Sequence, residues 1–261
     1  MDLGLTNKTA LVLGAGGGLG GAIAHSLARE GANVAVVDVA KDNLSSTAAA
    51  IAAKGGNSLA LEWDLADHSL IEPRVAEIEA KFGPVDVLIN NTGGPPPTPA
   101  FGQSSDLWRK SFESMVLSVI AITDRVLPQM IARKWGRIIT STSSGVIAPI
   151  PNLAVSNALR MSLVGWSKTL AREVARHGVT VNIVLPGRIA TDRIRFLDEQ
   201  KAKREDRSIA DVSAESTGSI PIGRYGEPKE YGDTVTFLAS TQASYITGST
   251  IRVDGGLIAS I

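Results

Sequence analysis

At 261 residues, with 26 basic side chains against 26 acidic and a pI near 6.9, the chain lacks the basic excess of a nucleic-acid or polybasic membrane surface, and its length suits one large domain. It has no cysteine, which excludes disulfides, thiolate catalysis and cysteine metal sites, and His25, His68 and His177 are too widely separated to suggest a metal site. The hydrophobic share is 44%, no apolar run approaches the roughly 20 residues a bilayer requires, and the start MDLGLTNKTA has no secretory pattern, so a cytoplasmic protein that handles a small molecule is expected.

Taken in chain order, strand-like and helix-like segments alternate. A strand TALVLG (9–14) precedes a helical stretch at 19–30, NVAVVD (33–38) precedes 41–54, and a weaker strand NSLALEW (57–63) precedes 68–82. VDVLIN (85–90) leads to a long helical stretch at 106–134 and GRIITST (136–142) to another at 153–177. VTVNIV (179–184), a helix at 227–240 and STIRVD (249–254) complete the series. This order predicts an α/β fold: a single-domain, doubly wound parallel sheet (Rossmann-like) with helices on both faces, over residues 1–261. PPPTPAFGQ (95–103) and the polar, charged 192–219 break the rhythm. They read as irregular substrate-side insertions, the second within a lobe at about 188–225.

The first strand runs into Gly14, Gly16, Gly17, Gly18, Leu19, Gly20 and Gly21 before a helix opens. Phosphates bind backbone N–H groups at a helix N-terminus, and glycine lets them approach. Two spacings fit, Gly14-x3-Gly18-x-Gly20 and Gly16-x-Gly18-x2-Gly21. Asp38 ends the second strand, where a carboxylate accepts hydrogen bonds from an adenosine ribose and repels a 2′-phosphate. NAD(H) is therefore expected over NADP(H).

Later segments extend the pattern: LEWDLAD after the third strand, LINNTGG after the fourth, IVLPGRIATDR after the sixth, and FLASTQASYITGSTIRVDGG near the end. Together with the glycine loop they resemble the short-chain dehydrogenase/reductase family, in its 3-oxoacyl-carrier-protein reductase branch, over essentially the whole length. Gly14, Gly18 and Gly20 match its glycine spacing. Asn90, Asn91 and Gly93 match its Asn-Asn-Ala-Gly element, with Thr92 for alanine, and Pro186, Gly187 and Thr191 match its Pro-Gly turn. The resemblance implies that Asp64 and Leu65 contact the adenine edge and that Asn91 and Gly93 pass beneath the cofactor. It implies that Ile189 and Thr191 hold the nicotinamide carboxamide. It also implies a homotetramer, or a dimer, built on the helices at 106–134 and 153–177.

The family's catalytic set is altered here. Its serine polarises the substrate carbonyl, its tyrosine delivers the proton, and a lysine four residues on lowers the tyrosine pKa and binds the nicotinamide ribose. An upstream asparagine supports a relay water. Anchored on GRIITST and SKTLARE, these positions are Ser143, Ser156, Arg160 and Met115, so only the serine remains. The first of the three tyrosines is Tyr225, so no register places one on this helix. A serine hydroxyl is too weak an acid to replace such a tyrosine, and arginine stays charged. Ser156 and Arg160, one turn apart, either fill solvent-side positions or form an altered site in which Arg160 stabilises an oxyanion, serves the ribose or anchors an acid. Arg188, Arg193 and Arg195 either favour an anionic substrate or belong to a solvated loop.

An atypical NAD(H)-dependent short-chain oxidoreductase acting on a small carbonyl or hydroxyl compound, acidic or acyl, is the leading expectation. The alternatives are an enoyl- or dienoyl-type C=C reductase, and a non-redox or non-catalytic NAD-binding relative on the same fold.

Overall fold

The first strand, β1 (Thr9–Leu13), is buried at every residue, as expected for a strand covered on both faces. Ala10 and Val12 face one layer, Leu11 and Leu13 the other. In the computed structural model, which describes residues 1–261, β2 (Asn33–Asp38) and β3 (Asn57–Glu62) are laid down on one side of β1. The chain then returns past β1. It adds β4 (Val87–Asn90), β5 (Gly136–Ser141), β6 (Val179–Pro186) and β7 (Thr250–Val253) on the other side, in the order β3-β2-β1-β4-β5-β6-β7. All pairings are parallel. The order reverses between β1 and β4, and a crevice opens there at the strands' carboxyl ends.

Two helical layers cover the sheet. Ile23 and Leu27 of α1 (Gly18–Arg29), Leu44 and Ile51 of α2 (Lys41–Ala52) and Tyr231, Val235 and Leu238 of α9 (Pro228–Ala239) pack on one face. On the other lie Val75 and Ile78 of α3 (Ile71–Phe82), Ile122 and Val126 of α5 (Ser118–Ala132), and Leu170 and Val174 of α6 (Ala154–Val174). Each fully buried aliphatic side chain contributes about 1.5–3 kcal/mol, so these two layers supply most of the drive to fold.

The observed elements correct the sequence reading in three places. The helix expected at 106–134 is α4 (Ser105–Phe112) and α5 joined by a π-helical segment, Glu113–Leu117. Ser105–Ala132 also forms a run long and apolar enough by composition to cross a bilayer, although no such run was expected. Here Val119, Ile122, Val126 and Met130 of that run are buried within the domain.

The third correction is that 192–219 is not irregular but two helices, α7 (Asp192–Glu205) and α8 (Ile209–Gly218). Their apolar periodicity is weak because only Asp198 and Ala202 of α7, and Val212 and Ser216 of α8, are buried. Caps from Thr191 and Ser208, and ion pairs of Glu215 with Lys201 and Arg207, hold them instead. The Pro-rich 95–103 segment is pinned to the start of α6. The Thr98 N–H donates to Asn152 O at 2.7 Å, and the Ala154 N–H donates to Thr98 O at 3.1 Å.

Candidate active site

The glycine loop fills the β1/β4 crevice. A Cβ on Gly20 would lie 2.0 Å from the Gly14 carbonyl oxygen, and one on Gly14 would lie 2.6 Å from the Asn91 carbonyl oxygen. No larger residue fits at either place. From the end of β4, the Asn91 amide donates to Leu13 O at 3.2 Å and to Gly14 O at 3.1 Å, tying the crevice's two walls together. Gly17 caps α1 without a side-chain partner, and no acidic residue occupies the first turn, so the N–H groups at this helix start have no built-in anion.

Asp38 lies against the same loop. Its Oδ2 accepts from the Gly16 N–H at 2.9 Å and its Oδ1 from the Ala40 N–H at 3.0 Å, which fixes the carboxylate in place. A groove of about 430 Å³ runs from Asp38, Trp63, Asp64 and Leu65 past Gly14 and Asn91 to Gly93, Gly94 and Pro95, and on to Ser111, Ser114 and Met115. The π-helical segment therefore delivers Ser114 and Met115 to the groove wall, and Met115 is buried. Such π segments recur where a helix meets a functional site.

Across the crevice, β6 ends at Pro186. A Cβ on Gly187 would meet the Asp254 backbone at 2.5 Å. Thr191 caps α7 and lies beside Gly18, so the first and sixth strand loops meet. The Ile189 side chain is buried against Gly226, which leaves only the backbone of Ile189 to meet a ligand.

Ser143 follows β5 and is half-buried, its Oγ accepting from the Gly145 N–H at 3.0 Å. Ser156 and Arg160 are buried rather than solvent-side, at 7% and 8% exposure. The Arg160 Nε–H donates to Ser156 Oγ at 3.3 Å. Its Nη1 donates to Ser141 O at 3.4 Å, and its Nη2 donates to Thr92 O at 3.2 Å and Gly93 O at 3.0 Å. Four of its five N–H groups are thus spent on the protein. The guanidinium joins α6 to the ends of β4 and β5. Burial holds its pKa down, to about 10; Tyr231 offsets this slightly and the neighbouring Arg193 adds to it. At neutral pH it remains a cation.

Two polar clusters escaped the sequence reading. Tyr231 of α9 is fully buried, with its hydroxyl 2.8 Å from Ser141 Oγ. Burial raises its pKa, with the Ser141 hydrogen bond opposing, so it stays protonated. The other is in the substrate-side lobe, where buried Asp198 accepts from Arg188 at 2.8 Å and from the Tyr225 hydroxyl at 2.6 Å. Neither cluster has a local sequence signal, because its members come from different elements, α9 and β5 in the first and α7 with its flanking loops in the second.

A doubly wound sheet, a glycine loop wedged into its switch point and a fixed carboxylate at the end of β2 define a dinucleotide-binding protein of the Rossmann class. The enoyl-(acyl carrier protein) reductase family profile matches residues 14–258. The chain is 36% identical over 254 residues to the 3-oxoacyl-[acyl-carrier-protein] reductase FabG of Staphylococcus epidermidis, covering 96% of this chain and 99% of that one. It is equally identical over 252 residues to FabG of Escherichia coli, covering 96% and 97%. The chain belongs to the short-chain dehydrogenase/reductase family and is an oxidoreductase of that family.

Among solved structures, YwfH, an NADPH-dependent reductase involved in bacilysin biosynthesis, superposes with a TM-score of 0.92 at 31% identity, covering 97% of this chain and 99% of that one. L-sorbose reductase from Gluconobacter frateurii, complexed with NADPH and L-sorbose, superposes with a TM-score of 0.94 at 29% identity over 100% of both chains.

Proposed function

We propose that this protein is an NAD(H)-dependent reductase or dehydrogenase of a small carbonyl or hydroxyl compound, with a proton-transfer arrangement that does not use a tyrosine. One observation carries the reading: the glycine loop is closed into the β1/β4 crevice with Asp38 locked beside it by the Gly16 N–H. This cradle fits a dinucleotide. The helix start offers free donors to a pyrophosphate, and Asp38 offers only acceptors to a ribose. Asp64 and Leu65 would flank the adenine, Asn91 and Gly93 the floor, and Thr191 with the Ile189 backbone the carboxamide. FabG relatives and the NADPH-bound neighbours support a nicotinamide cofactor, and Asp38 is the basis for preferring NADH here.

The bound nicotinamide would supply or accept the hydride. The chain's own residues then govern the other charge. The Ser143 hydroxyl accepts from a backbone N–H and keeps its own hydrogen for a substrate oxygen. The Ser156 oxygen is occupied by Arg160, which leaves the Ser156 hydrogen free to donate. Arg160 keeps its proton at neutral pH and contributes positive charge without relaying. Water and the Lys110 ammonium, which lines the same groove, are the remaining proton sources. This favours one further reading, reduction of a conjugated C=C bond, because protonation at carbon does not need the oxygen-directed acid that Ser156 replaces.

We also propose a homotetramer, or a dimer, formed through the α4–α5 and α6 faces. Phe112, Leu117 and Met161 on those helices are exposed apolar side chains. The direct test of function is substrate-dependent oxidation of NADH with product analysis. Stoichiometric NADH loss supports an oxidoreductase, and the product separates carbonyl from alkene reduction. Product formed without any change in NADH would point to non-redox chemistry on this fold.

A further inference from the structure

The three arginines of the substrate-side lobe have different fates. Arg188 is neutralised by Asp198 at 2.8 Å and Arg195 by Asp192 at 2.7 Å. Arg193 has no carboxylate within ion-pair distance, and its Nη2 donates to the Pro95 carbonyl at 3.0 Å. Arg160 likewise meets only neutral acceptors.

These two unpaired cations converge. A carbon built as Cβ on Gly94 would lie 3.4 Å from Arg193 Nη2 and 3.7 Å from Arg160 Nη2. Each guanidinium therefore raises the cost of the other, and Arg160 is also deeply buried. Arg193 also sits in the first turn of α7, the end of a helix where a cation is least favoured. A second buried arginine provides an internal contrast. Arg137 stacks on the Trp135 ring at 4.5 Å and is enclosed by the carbonyls of Gly136, Gly178 and Ser240, outside the groove lining. Arg160 has no such ring and Arg193 only the more distant Phe196 ring at 5.7 Å, and the pair borders Gly93, Gly94 and Pro95 on the groove wall.

We infer that the substrate of this groove carries a carboxylate, bound beside Gly94 by the unspent N–H groups of Arg193, with the largely spent Arg160 guanidinium contributing only its positive charge. This rests on the reading of the groove as the NADH site. A planar carboxylate matches guanidinium donors geometrically and supplies the charge that the protein withholds. The same positive field could serve the cofactor's pyrophosphate, so the test must separate the two sources.

The probes are acetate, hexanoate and phenylacetate, each beside its amide, titrated into the full-length protein with saturating NADH and followed by the fluorescence of bound NADH. At least one acid should bind ten or more times tighter than its amide. Arg193→Gln, which keeps a donor for Pro95, should close that gap and leave NADH affinity unchanged, while Arg193→Lys should restore part of it. Acids and amides binding equally, or neither binding, would overturn the inference. It would be overturned too if acids displaced NADH, or if Arg193→Gln weakened NADH, because the anion would then be the cofactor's own phosphate. Failure of NADH to bind at all would overturn the cofactor reading itself, and this inference with it.

Discussion

Arg160→Met removes the guanidinium and keeps most of the stem, so it isolates what the head group does. Four hydrogen bonds are lost. The carbonyls of Thr92 and Gly93 lie on partly exposed or exposed residues at the groove, where water can replace the donor at little cost. Ser156 keeps a hydroxyl that can rotate. The Ser141 carbonyl belongs to a buried residue, and its orphaning costs about 1–3 kcal/mol. Removing an uncompensated buried cation returns part of that. A net loss of about 1–2 kcal/mol lowers the melting temperature by roughly 2–8 °C for a chain of this size. The 92–95 wall also loses its tie to α6, so NADH affinity should fall about tenfold, equivalent to about 1.4 kcal/mol. Thermal unfolding and NADH titration on the same preparation measure both. A variant with unchanged melting temperature and NADH affinity but no turnover would refute the clamp and make Arg160 a direct participant in the chemistry.

Ser156→Ala should lower turnover by roughly tenfold or less, since one neutral hydrogen bond is lost. The double change Ser156→Tyr with Arg160→Lys should harm the native reaction without creating 3-oxoacyl reductase activity; a gain of that activity in a steady-state assay would mark the site as a decayed carbonyl reductase. On size exclusion with light scattering the protein should elute as a tetramer of 27.3 kDa subunits, a dimer being compatible, and a monomer at micromolar concentration would remove the proposed interfaces. Acid should loosen the substrate-side lobe. The Glu215 pKa is held to about 2 by hydrogen bonds from Lys201 and then Arg207. This is a depressed folded-state value, so its contribution is present above the ordinary carboxylate pKa and is lost as pH falls from about 4.5 toward 2. Pepsin at pH 3 should therefore cut within 192–219, and a segment left intact there would contradict this.

The fold was legible because its central strands are buried on both faces and read as apolar runs, as TALVL and the VAVV of NVAVVD do, whereas the edge strand NSLALE, mostly uncovered, gave a weaker signal. The glycine loop was legible for a related reason: backbone approaches such as Gly20 to the Gly14 carbonyl admit only one residue type. The absence of a tyrosine from α6 could be read with certainty, since no tyrosine precedes Tyr225. The environment of Ser156 and Arg160 could not be read. Their burial depends on the 92–93 carbonyls and on Ser141, remote in sequence, and helical periodicity alone left a solvent-side position open. The 192–219 helices were missed because caps and ion pairs rather than an apolar stripe stabilise them. The neutralised Arg188 and Arg195 and the unpaired Arg193 look alike in a sequence. Only the fold separates them.

In the proposed function this chain keeps a working dinucleotide cradle and Asp38 sets its choice of cofactor. Calorimetric titration of the purified protein with NADH and with NADPH tests it without knowledge of the substrate. Because the Gly16 and Ala40 N–H groups hold the Asp38 carboxylate, it cannot swing away from a 2′-phosphate. NADH should bind at least tenfold more tightly than NADPH, a difference of about 1.4 kcal/mol or more. Asp38→Ala should narrow that ratio. Equal affinities, a preference for NADPH, or no binding of either would rule out that role for Asp38 and its cradle.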